Sequence, residues 1–151
     1  MRLQAGGAQI EGTLAFYRDP ANGNWILFYV DPVGNFIQSG YYKKANFGTG
    51  QLSRNADRVD FGGEIAFRSP GGTTHTTTDV GSGQFSNAGY GNTAYQRNLK
   101  YMNLSGVIQN VVYSGIGVTK SGCYNVTDAT SATLGTSFYF GGPGYIIPSC
   151  P

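Results

Sequence analysis

The chain has 151 residues, 24 of them glycine, with 14% aromatic and only 12% charged side chains and a net charge of +2. The length fits one domain with room for a core. A charged share about half of the usual ~25% excludes a coiled coil, an acidic tail or charge-driven disorder. Its ten Lys and Arg are scattered singly apart from Lys43-Lys44. That pair reads as a solvated turn or strand edge. No cluster of cations is present to replace counterions, so no nucleic-acid partner is expected.

In chain order, Met1 to Phe16 lacks the continuous apolar core of a signal peptide behind Arg2. Residues 8–18 and 24–31 read as strands, joined by Asp19-Pro20-Ala21-Asn22-Gly23-Asn24. Proline presets one turn angle there, and Asn-Gly accepts positive φ. Residues 34–42 form a third candidate strand. The clearest alternation lies at 57–68, with Val59, Phe61, Gly63, Ile65 and Phe67 on one face and Asp60, Gly62, Glu64 and Ala66 on the other. Further strands are expected at 73–80, 93–101, 106–113 and 134–140. Helical periodicity is nearly absent. Gly and Ser or Thr interrupt the uncharged runs Met102–Thr119 and Ala129–Pro151, so neither reads as a membrane span. The pattern predicts an all-β fold, an antiparallel, jelly-roll-like β-sandwich.

Chemistry-bearing residues are few. Gly81-Ser82-Gly83 lacks the spacing of a nucleophile elbow, and no phosphate-binding loop occurs. One histidine, His75, and two cysteines, Cys123 and Cys150, are too few for a structural zinc site. His75 in its Thr-rich run reads as an exposed strand side chain, with service to a nucleophile as the alternative. The cysteines are either reactive thiols or, in a secreted chain, a structural disulfide. No cofactor is expected. The two glutamates are Glu11 and Glu64. Between small same-face neighbours Gly62 and Ala66, the Glu64 carboxylate would stand on an open floor with room for a peptide backbone. Asp60 shares that face, but four strand residues span about 13 Å, too far to share a proton. By composition alone Glu64 reads as a solvated outward residue.

A resemblance shifts that balance. Asp57-Arg58-Val59-Asp60-Phe61-Gly62-Gly63-Glu64-Ile65 resembles the D-x-V-x-W-G-G-E-V strand of the neprosin family of plant glutamic peptidases. In order follow Gly71-Gly72 to His75-Thr76, Gly81-Ser82-Gly83-Gln84-Phe85, Gly89-Tyr90-Gly91, Ala94-Tyr95-Gln96-Arg97-Asn98, Cys123-Tyr124-Asn125-Val126 and Phe138-Tyr139-Phe140-Gly141-Gly142-Pro143-Gly144, ending at Cys150-Pro151. Upstream, Tyr17-Arg18-Asp19-Pro20 and Gly23-Asn24-Trp25 resemble the family's W-K-D-P…G-N-W hairpin. Phe61 stands where Trp is usual, and Val80 where Met is.

The resemblance implies a glutamic endopeptidase that cleaves near proline at acid pH, acting on peptide or protein substrates, secreted or vacuolar. It implies that Glu64 is the second of two catalytic glutamates. The first lies upstream of the hairpin in the family, and Glu11 is not equated with it. Residues 1–151 are therefore expected to be the C-terminal part of one peptidase domain, incomplete at its N-terminal side and inactive or nearly so alone. In a secreted chain Cys123 and Cys150 are expected to pair. The sequons Asn103-Leu104-Ser105 and Asn125-Val126-Thr127 fit the same compartment. The rival is a non-catalytic β-sandwich module whose exposed Tyr, Trp and Asn bind a glycan or a peptide.

Overall fold

A computed structural model describes residues 6–67, 75–146 and 148–150. Among the described residues the fold is all-β: eight strands in antiparallel sheets, with only 3₁₀ turns besides and no closed barrel. No helix among the described residues is long and apolar enough to cross a membrane. The chain forms two compact units, Gln9–Asp60 and Phe61–Pro151 with Met1–Ala8.

The first unit is the three-stranded meander β1 (Thr13–Arg18), β2 (Trp25–Val30) and β3 (Phe36–Tyr42). The predicted turn forms through its own side chains. Asp19 Oδ1 accepts the Ala21 N–H at 2.9 Å, Asn22 Oδ1 accepts the Asn24 N–H at 2.9 Å, and Gly23 takes φ 75°. Register Phe16↔Leu27 and Tyr17↔Ile26 places apolar side chains on both faces. Leu14, Phe16, Trp25, Leu27 and Tyr29 share one; Tyr17, Ile26, Phe28 and Phe36 share the other. On the first, Trp25 Nε1 donates to Leu52 O at 2.7 Å and Arg18 Nη2 to Ser53 O at 3.2 Å. These bonds fold the 3₁₀ turns Lys44–Phe47 and Gln51–Ser53 back toward that end of the sheet. A bulge between Leu27 and Phe28 leaves Ser39 without a partner on β2, since Gly40 pairs Leu27 and Gln38 pairs Phe28. The extra residue shifts the alternation, so Gln38 and Tyr41 emerge on the same face.

The second unit is built on β8 (Phe138–Gly141), the middle strand of the order β4 (Ala94–Gln96), β8, β7 (Asn125–Asp128). The hairpin β5 (Lys100–Met102) and β6 (Ile108–Asn110) makes a separate ladder. The deepest side chains cluster around β8: Ser137, Phe138, Cys123, Cys150, Ser86 and Thr93 are all at most 4% exposed. Glycine is required at 141 and 142, because a Cβ there would enter the carbonyls of Gln84 and Cys123. Cys123 and Cys150 are joined in a disulfide, with Cα atoms 5.0 Å apart and a sequence separation of 27. On the chain-entropy estimate a loop of that length contributes about 3.5 kcal/mol.

Three expected strands differ. Residues 57–67 form no ladder, and of the side chains expected to pack only Phe61 and Ile65 are half-buried. Residues 75–79 are also outside any ladder, and only Val80 bridges, to Gly142; the rest of the 73–80 expectation lies outside the described residues. The 93–101 stretch breaks into β4 and β5 because Asn98 adopts φ 53°, a left-handed turn. Strand β7 was not expected. Asn125-Val126-Thr127-Asp128 has a single apolar residue, and it pairs because β8 offers a complete edge.

Asp31 gives a pH test of local order. Its side chain closes the β2–β3 turn, accepting Asn35 Nδ2 at 2.9 Å, Asn35 N–H at 2.8 Å and Val33 N–H at 3.0 Å. These bonds, the Asn35 side chain's first, hold its carboxyl below the ordinary 3.8. The folded value is depressed, so the turn's stabilisation is present above pH 3.8 and is lost as pH falls through the folded value. The Asn35 amide resonances are expected to titrate with a midpoint below 3.8, and Asp31→Asn to abolish that titration. A midpoint at or above 3.8 contradicts this account.

Candidate active site

Residues 61–67 carry the candidate site, and their placement begins with the β4–β8–β7 sheet. The register Ala94↔Phe140 and Gln96↔Phe138 puts these four side chains on one face, with Tyr95 and Tyr139 on the other. The 61–67 segment lies over the first face. A Cβ on Gly63 would meet the Phe140 ring at 2.9 Å and Val80 at 3.6 Å, so only glycine lets the backbone descend this far. Next to it, Gln96 Nε2 donates to Gly62 O at 3.1 Å. Phe61 and Ile65, on the same side as Gly63, are half-buried. Gly62, Glu64 and Ala66 are exposed. The alternation was therefore informative about which side packs: Glu64 stands outward from a backbone held from below by an aromatic ring and from the side by an amide. Val59 and Phe67, expected with the packed residues, remain 55% and 47% exposed.

Several of the other acids are engaged elsewhere. Asp60 accepts Arg58 Nε at 2.8 Å in an exposed ion pair. Such a pair contributes little to stability. In the second unit, Asp128 Oδ1 accepts the Thr130 N–H at 2.8 Å. Thr130 holds the Asp128 carboxyl below its ordinary value, through its side chain first and its backbone second. Asp79 lies against the Gly81–Gly83 turn: a Cβ on Gly83 would meet its carboxyl carbon at 3.0 Å. Burial, with the Asp79 charge second, raises the Tyr124 phenol. Glu11 belongs to the first unit.

His75 departs from its expectation. It is half-buried, not an exposed strand residue. Its ring lies 5.5 Å from Tyr124 and 6.1 Å from Phe67, and Nδ1 is 3.2 Å from Thr76 O. A ring nitrogen of His75 and both sulfurs of Cys123 and Cys150 lie within 4.8 Å of one another. The disulfide leaves neither sulfur as a thiolate, the form that ligates a metal. Of the two sequons, Asn125 is half-buried and its Oδ1 accepts the Ser86 N–H at 2.5 Å. Asn103 caps the β5–β6 turn, accepting the N–H groups of Ser105 and Val107, both at 3.0 Å, beside the 85% exposed Leu104.

Gln96 and Phe140 were named by sequence only within family-like segments, with no role at the site. Gln96 carries no recognisable signal. Gly63 does: a glycine amid Phe61 and Ile65 on a packing side marks a close neighbour.

With this geometry in place, comparison with protein families is decisive. The model of the Neprosin family matches residues 2–143, and the chain belongs to that family. A disulfide is consistent with an extracellular protein.

Two substitutions test the anchoring. Gly63→Val is expected to lower stability by about 1–3 kcal/mol, since the Phe140 ring must move aside. Glu64→Gln is expected to change it by less than about 0.5 kcal/mol, as for an exposed side chain without partners in the core. Urea unfolding measures both. A neutral Gly63→Val, or a Glu64→Gln variant that melts many degrees lower, contradicts the arrangement.

Proposed function

We propose that Glu64 is one of the two carboxylates of a neprosin-type glutamic peptidase that hydrolyses peptide bonds near proline at acid pH, in a secreted or vacuolar setting. One observation carries this reading: Gly62-Gly63-Glu64, within the family match, resembles the family's Gly-Gly-Glu, and its glutamate is the side chain that the anchored segment presents outward. Hydrolysis without metal or covalent intermediate needs a base to activate water and an acid to protonate the departing amine. Paired carboxylates divide these roles, because like charges drive their proton affinities apart and the pair titrates as a unit. Glu64 supplies one member. Gly62 and Ala66 beside it leave the substrate backbone room to approach, and the Gln96 bond to Gly62 O keeps the floor from shifting as it does.

The test pairs cleavage with binding. Proline-containing peptides are incubated with the chain from about pH 2.5 to 7, a range that brackets carboxylate titration. Any cleavage is expected to disappear in Glu64→Gln, because a cooperating pair loses most of its rate with either member. The same peptides are expected to perturb the amide resonances of residues 61–67, with a pH dependence that Glu64→Gln removes. Cleavage unaffected by Glu64→Gln, or peptide binding that leaves residues 61–67 unperturbed, overturns the proposal.

A further inference from the structure

A second candidate site lies in the first unit and uses none of the residues assigned to the peptidase reading. A cavity of about 250 Å³ is lined by Asp19, Asn22, Asn24, Ile26, Gln38 and Tyr41. Its walls are set by three features already described. The Asp-Pro-x-Asn-Gly-Asn turn makes the rim, Ile26 of β2 makes the floor, and the β3 bulge turns Gln38 and Tyr41 onto the Ile26 face. Without the bulge, residues 38 and 41 would alternate to opposite faces.

The rim is rigid because its polar atoms are bonded to one another. Asp19 Oδ2 accepts Asn22 Nδ2 at 2.5 Å, Asp19 Oδ1 accepts Ala21 N–H, and Asn24 Oδ1 accepts Lys44 N–H at 2.9 Å. Other polar groups around the cavity are not drawn into this network. None of the hydrogen bonds among the described residues engages the Gln38 side-chain amide, the Tyr41 hydroxyl or Asn24 Nδ2. The cavity thus presents donors at Asn24 and Gln38, acceptors at Gln38 and the remaining lone pairs of Asp19, and the Tyr41 ring, 53% exposed, as a wall.

We infer that this cleft binds a neutral pyranose. A sugar ring is matched on each count. It has an apolar C–H face that packs on an aromatic face. Its hydroxyls both donate and accept, which amide and carboxylate pairs satisfy together. One ring fills most of a cavity that is smaller than the ~300–1,000 Å³ of drug-sized sites. The cleft holds no cation among its lining residues to select a phosphate or a peptide carboxylate. An extended peptide would instead need a longer groove than the one these six residues line. The preformed rim lowers the ordering cost of binding. The site's openness to water keeps the affinity modest, with a Kd on the order of millimolar. The inference is independent of Glu64.

The experiment is a titration of the isotope-labelled protein with methyl glucoside, methyl galactoside, methyl mannoside and N-acetylglucosamine. At least one is expected to give saturable shifts of the Gln38 and Asn24 side-chain amide resonances at concentrations up to about 50 mM. Tyr41→Ala is expected to weaken that binding at least tenfold, and Tyr41→Phe to retain it, since the ring stacks and the hydroxyl contributes only one bond. Gln38→Leu, at an exposed position that cannot threaten folding, is expected to weaken it comparably. No shift with any of the four sugars overturns the inference. So does binding that survives both Tyr41→Ala and Gln38→Leu, and so does a response to tetraproline in place of the sugars.

Discussion

No side chain fits at positions 141 and 142, and the second unit is arranged around that constraint. The bare backbone of β8's end lets the carbonyls of Gln84 and Cys123 come into contact with it. Thr93 Oγ1 donates to Phe140 O at 2.9 Å from one flank, and Val80 bridges Gly142 from another. β4 and β7 pair along the two edges of the strand. The aromatic side chains of β8 then become a platform: Phe138 packs edge-on to Tyr113 at 6.4 Å, and Phe140 lies under Gly63. The position of the Glu64 backbone therefore depends on glycines nearly eighty residues further along the chain.

The first unit solves a different problem. Its meander is only three strands wide and is apolar on both faces, an arrangement ordinarily found where a sheet is covered on both sides. Leu14, Phe16 and Phe36 are 60–66% exposed. Order at its ends comes from polar turns. Asp19 and Asp31 each fold the following residues around their own carboxylate, and both turns contain a positive-φ glycine, Gly23 and Gly34. Asx chemistry of this kind fixes hairpins without needing a core.

Legibility in the sequence followed the range of the interaction. The Asp19–Asn24 turn was readable because every group that builds it lies within six residues. The three strands around it were readable for the same reason, since tight turns dictate which neighbours pair. At 61–66 the alternation separated Phe61, Gly63 and Ile65 from Gly62, Glu64 and Ala66, while Val59 and Phe67, grouped with the first set, are exposed. It could not say whether a neighbouring strand was there to pair, because a period of two reports burial and not hydrogen bonding. Strand β7 escaped because its pairing is imposed by β8, and short polar strands carry no signal of their own. Gln96 escaped because a single side-chain bond to a distant carbonyl leaves no pattern. The family resemblance singled out Glu64 as a candidate, and physics alone would have left it a solvated carboxylate. The pairing of Cys123 with Cys150 needed an argument about compartment, since two cysteines admit one bridge but do not require it.

Glu64 displayed outward, on a segment held by Phe140 and Gln96, is the centre of the account. Carbodiimide-driven amidation of carboxylates, read by peptide mass spectrometry, tests it most directly. Glu64 is expected to be modified as readily as the exposed Asp60, and a proline-containing peptide is expected to protect Glu64 while leaving Asp60 reactive. A Glu64 that resists modification in the free protein, or that is modified equally with and without the peptide, would contradict the account.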